Sequence, residues 1–133
     1  MKIYAFILWT SLIVTTACSQ QKDDTDVIVK QVSAQEFKDI IEDGEGQLID
    51  IRTPGEYHMG HIQGATMIDF YDPSFSSELD RLDKSRPIYI YCRSGNRTSQ
   101  SVALLKSLGF KEIVNLKHGL IDWQRSGYGL NKS

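Results

Sequence analysis

The chain is poor in the residues that build covalently or metal-held scaffolds: its 133 residues include two cysteines and three histidines. Two cysteines allow at most one disulfide, which excludes a cystine-rich framework. His58 and His61 stand three apart, but no third ligand is close in sequence, so no metal site is expected there. Charge of one sign is lacking too, since 15 Lys and Arg face 17 Asp and Glu for a formal net charge of −2. That balance argues against a nucleic-acid binder, which would carry a broad basic face. An apolar run of membrane-spanning length is also missing. Ile3 to Ala17 would rise only ~22 Å as a helix, short of the ~30 Å hydrocarbon core. Residues 28–130 contain no internal repeat and no low-complexity tract. The remainder fits one domain of roughly 100 residues with a hydrophobic core of its own.

The N-terminus has a different composition. Met1-Lys2 gives a short positive start, Ile3 to Val14 is largely apolar, and Thr15-Thr16-Ala17 places small residues before Cys18. Residues 1–17 therefore read as a cleaved export signal. The small residues before the cysteine resemble the lipobox of bacterial lipoproteins. That resemblance implies lipidation of Cys18, attachment to a membrane of the cell envelope and, with the signal removed, Cys18 as the mature N-terminus; plain secretion is the alternative. Residues 18–27 are polar, lack apolar periodicity and read as a flexible linker.

Beyond the linker, helix and strand signals alternate. Gln31-Val32 is a short strand signal. Ser33 is a good N-cap for a helix over Ala34 to Ile41, with Glu36 at the N3 position of a capping box. Phe37, Ile40 and Ile41 fall on one face of that helix. Gln47 to Ile51 reads as a buried strand and Arg52 to Gly64 as a loop. Ala65 to Ile68 is a short strand, and Glu78 to Leu82 a brief helix. Ile88 to Tyr91 is a strand, Thr98 to Leu108 a helix stopped by Gly109, and Lys111 to Leu116 a last strand before a helix near Leu120 to Trp123. This order predicts an α/β domain with a parallel sheet covered by helices on both faces. In such sheets ligands bind beyond the carboxyl ends of the strands, where Asp50 and Cys92 stand.

Cys92 carries the strongest chemical signal. An apolar strand ends on it, a short loop with Gly95 and two arginines follows, and a helix then begins. A free thiol has a pKa of ~8.5 and is only about 3% thiolate at pH 7. Loop N–H groups, a following helix N-terminus and nearby guanidinium groups all lower that pKa. Gly95 suits a tight turn, and Asn96 tolerates left-handed backbone. Arg93 and Arg97 are the groups to hold an anionic substrate, with Arg93 the one expected to face solvent.

The segment Cys92-Arg93-Ser94-Gly95-Asn96-Arg97-Thr98 resembles the active-site loop of the rhodanese family of sulfurtransferases. Residues 50–65 resemble a second signature of that family, Asp-Val-Arg, Glu-Tyr, Gly-His-Ile and Gly-Ala, with Ile51 in place of its valine. Leu116 to Trp123 is similar to the closing motif, except that His118 replaces the first of its two glycines. The resemblance covers roughly residues 28–130. It implies Cys92 as the nucleophile that becomes a persulfide, with Arg93, Ser94, Gly95, Asn96, Arg97 and Thr98 forming the substrate-binding loop. Asp50, Arg52 and His61 would support the site, and Glu56 and Tyr57 would fix the neighbouring loop. A small-molecule sulfur donor and a thiol or cyanide acceptor are the implied partners, and no metal or organic cofactor is implied. Related cysteine phosphatases place five residues between cysteine and arginine to cradle a phosphate. Four separate Cys92 from Arg97, a spacing suited to a sulfur atom rather than a phosphate.

Overall fold

The computed structural model describes residues 26–132. Ten elements alternate along it: β1 (Ile28–Val32), α1 (Ala34–Glu42), β2 (Gln47–Asp50), α2 (Pro54–Met59), β3 (Thr66–Met67), α3 (Phe75–Asp80), β4 (Ile88–Tyr91), α4 (Asn96–Ser107), β5 (Glu112–Leu116) and α5 (Gly119–Arg125). The five strands form one parallel sheet in the order β1-β5-β4-β2-β3, as the alternation of elements predicts. The export signal expected at residues 1–17 and most of the expected linker lie outside the described residues. Among those described, no helix is long and apolar enough to cross a membrane.

β4 is the central strand, and all four of its residues are buried, as a strand covered on both faces requires. The pleat sends Tyr89 and Tyr91 into one core with Phe37 of α1 and Leu120 and Trp123 of α5. Ile88, Ile90 and Cys92 enter the opposite core with Phe75 and Leu79 of α3 and Leu105 of α4. Phe37 packs edge-on against both Tyr91 and Trp123, with ring centroids 6.5 Å apart in each pair, so α1 and α5 are keyed to the strand that delivers the cysteine.

Several boundaries differ from the sequence reading. β1 begins at Ile28, where edge pairing with β5 and the Lys30–Glu112 ion pair extend a strand expected only at Gln31-Val32. The capping box of Ser33 and Glu36 is formed. The expected loop over residues 52–64 contains a helix, α2, capped by a second box. Thr53 accepts from the Glu56 N–H, the Glu56 carboxylate accepts from the Thr53 N–H, and Pro54 occupies the first turn. α3 begins at Phe75 rather than Glu78, and α4 begins at Asn96 rather than Thr98.

Candidate active site

The site lies where β2, β4 and β5 end. β4 delivers Cys92 to the floor of a turn that runs straight into α4. Its side chain is a free thiol, and the residue is 1% exposed. The Gly95 N–H donates to Sγ at 3.1 Å, and the Thr98 hydroxyl lies 3.8 Å from it. Burial pushes the thiol pKa up, but hydrogen bonding from the Thr98, Ser94 and Gly95 backbone outweighs it and holds the pKa below the ordinary thiol value. The N-terminus of a twelve-residue helix points the same way.

The loop's N–H groups are free to turn inward because its carbonyls are occupied outside. The first turn of α5 donates to two of them, Leu120 N–H to Cys92 at 2.9 Å and Ile121 N–H to Arg93 at 3.1 Å. The Gly95 carbonyl accepts from the Thr98 and Ser99 hydroxyls at 3.0 and 2.7 Å and from the Ser99 N–H at 3.1 Å. Two glycines permit this close approach. Gly95 has φ +91°, and a Cβ there would lie 2.0 Å from the Lys117 carbonyl oxygen. Gly119 has φ +61°, and its Cβ would meet the Cys92 and Arg93 carbonyl oxygens at 2.6 Å. His118, by contrast, sits at φ −110°, which any L-residue adopts, so replacing glycine there leaves the turn intact.

The two loop arginines part company. Arg93 is exposed and lines a cavity of about 460 Å³ beside the loop, together with Arg52, Glu56, Met59 and Ile121. Arg97 does not reach out for an anion as expected. Its two terminal nitrogens bind the Glu56 carboxylate at 2.8 Å each, and its guanidinium lies over the Tyr71 ring at 5.7 Å. Arg97, the largest influence, and the Thr53 N–H and hydroxyl bring the Glu56 carboxyl down to about 2 against the opposing push of burial. The Arg97 pKa is raised in turn, chiefly by Glu56. Asn96 departs from expectation as well: it begins α4 with ordinary helical backbone, and only glycines in the described residues have positive φ. Its amide oxygen accepts from Gln100. Ser94 is exposed and contributes through its backbone.

Asp50 and Arg52 make a buried ion pair with a 2.7 Å contact. Arg52 also donates to the Gly60 carbonyl at 2.7 Å and lies over the Tyr91 ring. Tyr91 accepts the Ile62 N–H at 3.0 Å, and burial together with Asp50 raises its phenol pKa. These contacts brace the turn at residues 60–62 against the strand that carries the cysteine. His61 stacks on Tyr57 at 3.8 Å, and its backbone exchanges two 2.8 Å hydrogen bonds with Asn131. Among the described residues no three His, Cys, Asp or Glu side chains gather as metal ligands. Sequence reasoning left Gly119 and Tyr71 out of the site. Thr53 and Glu56 could have been read together as a capping box from Thr-Pro-Gly-Glu, but Tyr71 offers no local signal.

The chain is similar to known proteins in sequence and in fold. A sulfurtransferase of Allochromatium vinosum is 33% identical over 101 residues, covering 75% of this chain and 92% of its own. A tRNA uridine(34) hydroxylase of Ehrlichia chaffeensis is 29% identical over 114 residues, which are 81% of this chain but only 42% of the hydroxylase. The solution structure of a rhodanese-like domain from Anabaena superposes with a TM-score of 0.68 at 34% identity, covering 77% of this chain and 79% of that domain. Residues 33–126 match the family described as the rhodanese-like domain, and the chain belongs to that family.

Proposed function

We propose that the protein is a sulfurtransferase acting through a Cys92 persulfide. The observation that carries this reading is a buried thiol accepting the Gly95 N–H at 3.1 Å within a turn whose backbone lowers its pKa. A thiolate in that turn attacks the outer sulfur of a donor such as thiosulfate. The new S–S bond to Cys92 forms as the old S–S bond breaks, and sulfite leaves with the bonding electron pair. Cyanide or a thiolate acceptor then attacks the outer persulfide sulfur, and Cys92 departs again as thiolate. The sequence is nucleophilic catalysis in two displacements, so ping-pong kinetics follow. Preorganised N–H donors stabilise both the thiolate and the persulfide anion.

Incubating reduced protein lacking residues 1–18 with thiosulfate is expected to add one sulfur atom at Cys92 by intact mass. The Cys92→Ser variant should take up none and form no thiocyanate. An unchanged mass in the reduced wild-type protein would overturn the reading in favour of a non-catalytic binding domain.

We further propose that residues 1–17 direct export and that Cys18 carries lipid, on the strength of the apolar run and the small residues before that cysteine. Mass spectrometry of the membrane fraction should find Cys18 as a modified N-terminus; an intact Met1 would sink the proposal.

A further inference from the structure

Arg97 is the cation nearest in kind to what an anionic sulfur donor needs, yet both of its terminal nitrogens are taken. Glu56 binds them at 2.8 Å each, and Tyr71 covers the guanidinium face. Glu56 is itself held from behind, since the Thr53 N–H and hydroxyl each donate to its carboxylate at 3.0 Å. The pair is sheltered, with side chains 13% and 30% exposed for Arg97 and Glu56, so solvent screens it less than an ordinary surface ion pair. Arg97 is close enough to the sulfur that its charge and a Cys92 thiolate interact directly.

We propose that Glu56 is a positioning residue that sets the charge preference of the site. By clamping Arg97 it turns a bare cation beside Cys92 into a neutral pair. Glu56 stays ionised throughout the neutral range, because Arg97 and Thr53 hold its carboxyl far below pH 7. The inference rests on the sulfur-transfer reading for its biological meaning: a site with Arg97 neutralised does not favour a dianionic donor such as thiosulfate over a less charged persulfide. Freeing Arg97 would tilt it toward the dianion.

The test uses two alkylating probes of similar size, anionic iodoacetate and neutral iodoacetamide, on the full chain carrying Cys18→Ser, so that Cys92 is the remaining thiol. The ratio of their rates reports the charge around the sulfur and needs no sulfur transfer. Glu56→Gln is expected to raise the iodoacetate-to-iodoacetamide ratio about threefold or more, and Arg97→Met to lower it by a similar factor. The double variant should return to within about twofold of the parent, and Glu56→Asp should restore the ratio toward it. A purely structural role would move both single variants in the same direction, as would loss of the fold; either pattern overturns the proposal, and so does an unchanged ratio. In turnover, Glu56→Gln should lower the KM for thiosulfate more than it changes kcat. If the alkylation ratios split as expected but no sulfur adds to Cys92, the charge clamp stands and the sulfur-transfer reading fails. If sulfur adds but the ratios do not split, the clamp fails and sulfur transfer stands.

Discussion

Neighbouring strands β2 and β4 end side by side in the sheet and finish in opposite ways. β2 ends on Asp50, whose charge is met at once by Arg52, and both are buried. β4 ends at Tyr91 and hands over to Cys92, where no cation among the described residues bonds to the sulfur and backbone N–H groups converge on it instead. One end is closed on itself and builds structure. The other keeps donors aimed at a single atom whose charge can change, which is what a nucleophile requires. Proximity to the top of the sheet therefore does not define the chemistry; which donors remain committed to the reacting atom does.

Breaking the closed end has the largest expected effect on stability. Asp50→Ala leaves the Arg52 guanidinium buried, facing Tyr91 and the Gly60 carbonyl without its counter-charge. Removing one partner of a buried pair costs about 3–5 kcal/mol, a large share of the stability of a domain this size. Thermal unfolding should show a Tm lowered by more than about 10 °C, while thiol titration of the protein still folded at low temperature gives a Cys92 pKa close to that of the parent. A lowered Tm together with a thiol pKa raised to the free-cysteine value would mean that the two strand ends are not separable.

The contrast between the ends was only partly legible in the sequence. The Ile88 to Tyr91 run, the cysteine at its end and Gly95 mark the open end through neighbouring residues, and the Ser33–Glu36 box marks α1 by the same local logic. α2 was hidden because proline, glycine and histidine at 54, 55 and 58 read as loop, although Pro54 is at home in a first helical turn and Thr53 and Glu56 cap it. The fate of Arg97 was not readable at all. Its partner Glu56 is 41 residues away in the chain, and only the parallel pairing of β2 with β4 brings α2 beside the cysteine loop. Local chemistry announces itself in a sequence, whereas a long-range ion pair depends on the finished topology.

A smaller effect follows from that ion pair. The Glu56 carboxyl titrates at about 2 in the folded chain, against an ordinary value of about 4.3 when unfolded. A lowered folded-state pKa gives stability that is complete above the unfolded value and is lost as pH falls through the folded one. Parent protein should therefore lose stability between about pH 5 and pH 2 more steeply than Arg97→Met, in which the Glu56 pKa moves back toward its ordinary range. Urea midpoints across that window measure the difference; parallel pH curves for the two proteins would show that the pair contributes nothing to folding.

The smallest effect is expected at the turn joining β5 to α5, where adjacent residues answer opposite demands. A Cβ on Gly119 would press into the Cys92 and Arg93 carbonyls, which the α5 N–H groups of Leu120 and Ile121 hold in place. Gly119→Ala therefore displaces the outer wall of the cysteine turn, and a loss of about 1–3 kcal/mol with slower alkylation of Cys92 is expected. His118→Gly, which restores the family's paired glycines, should change stability by less than about 0.5 kcal/mol, because His118 is exposed and its backbone already lies in a region open to every residue. If His118→Gly instead slowed alkylation as much as Gly119→Ala, the imidazole rather than the backbone would have to be shaping the turn. The expected asymmetry places the requirement of this turn at Gly119 rather than at His118, since at Gly119 two backbones pass too closely for any side chain.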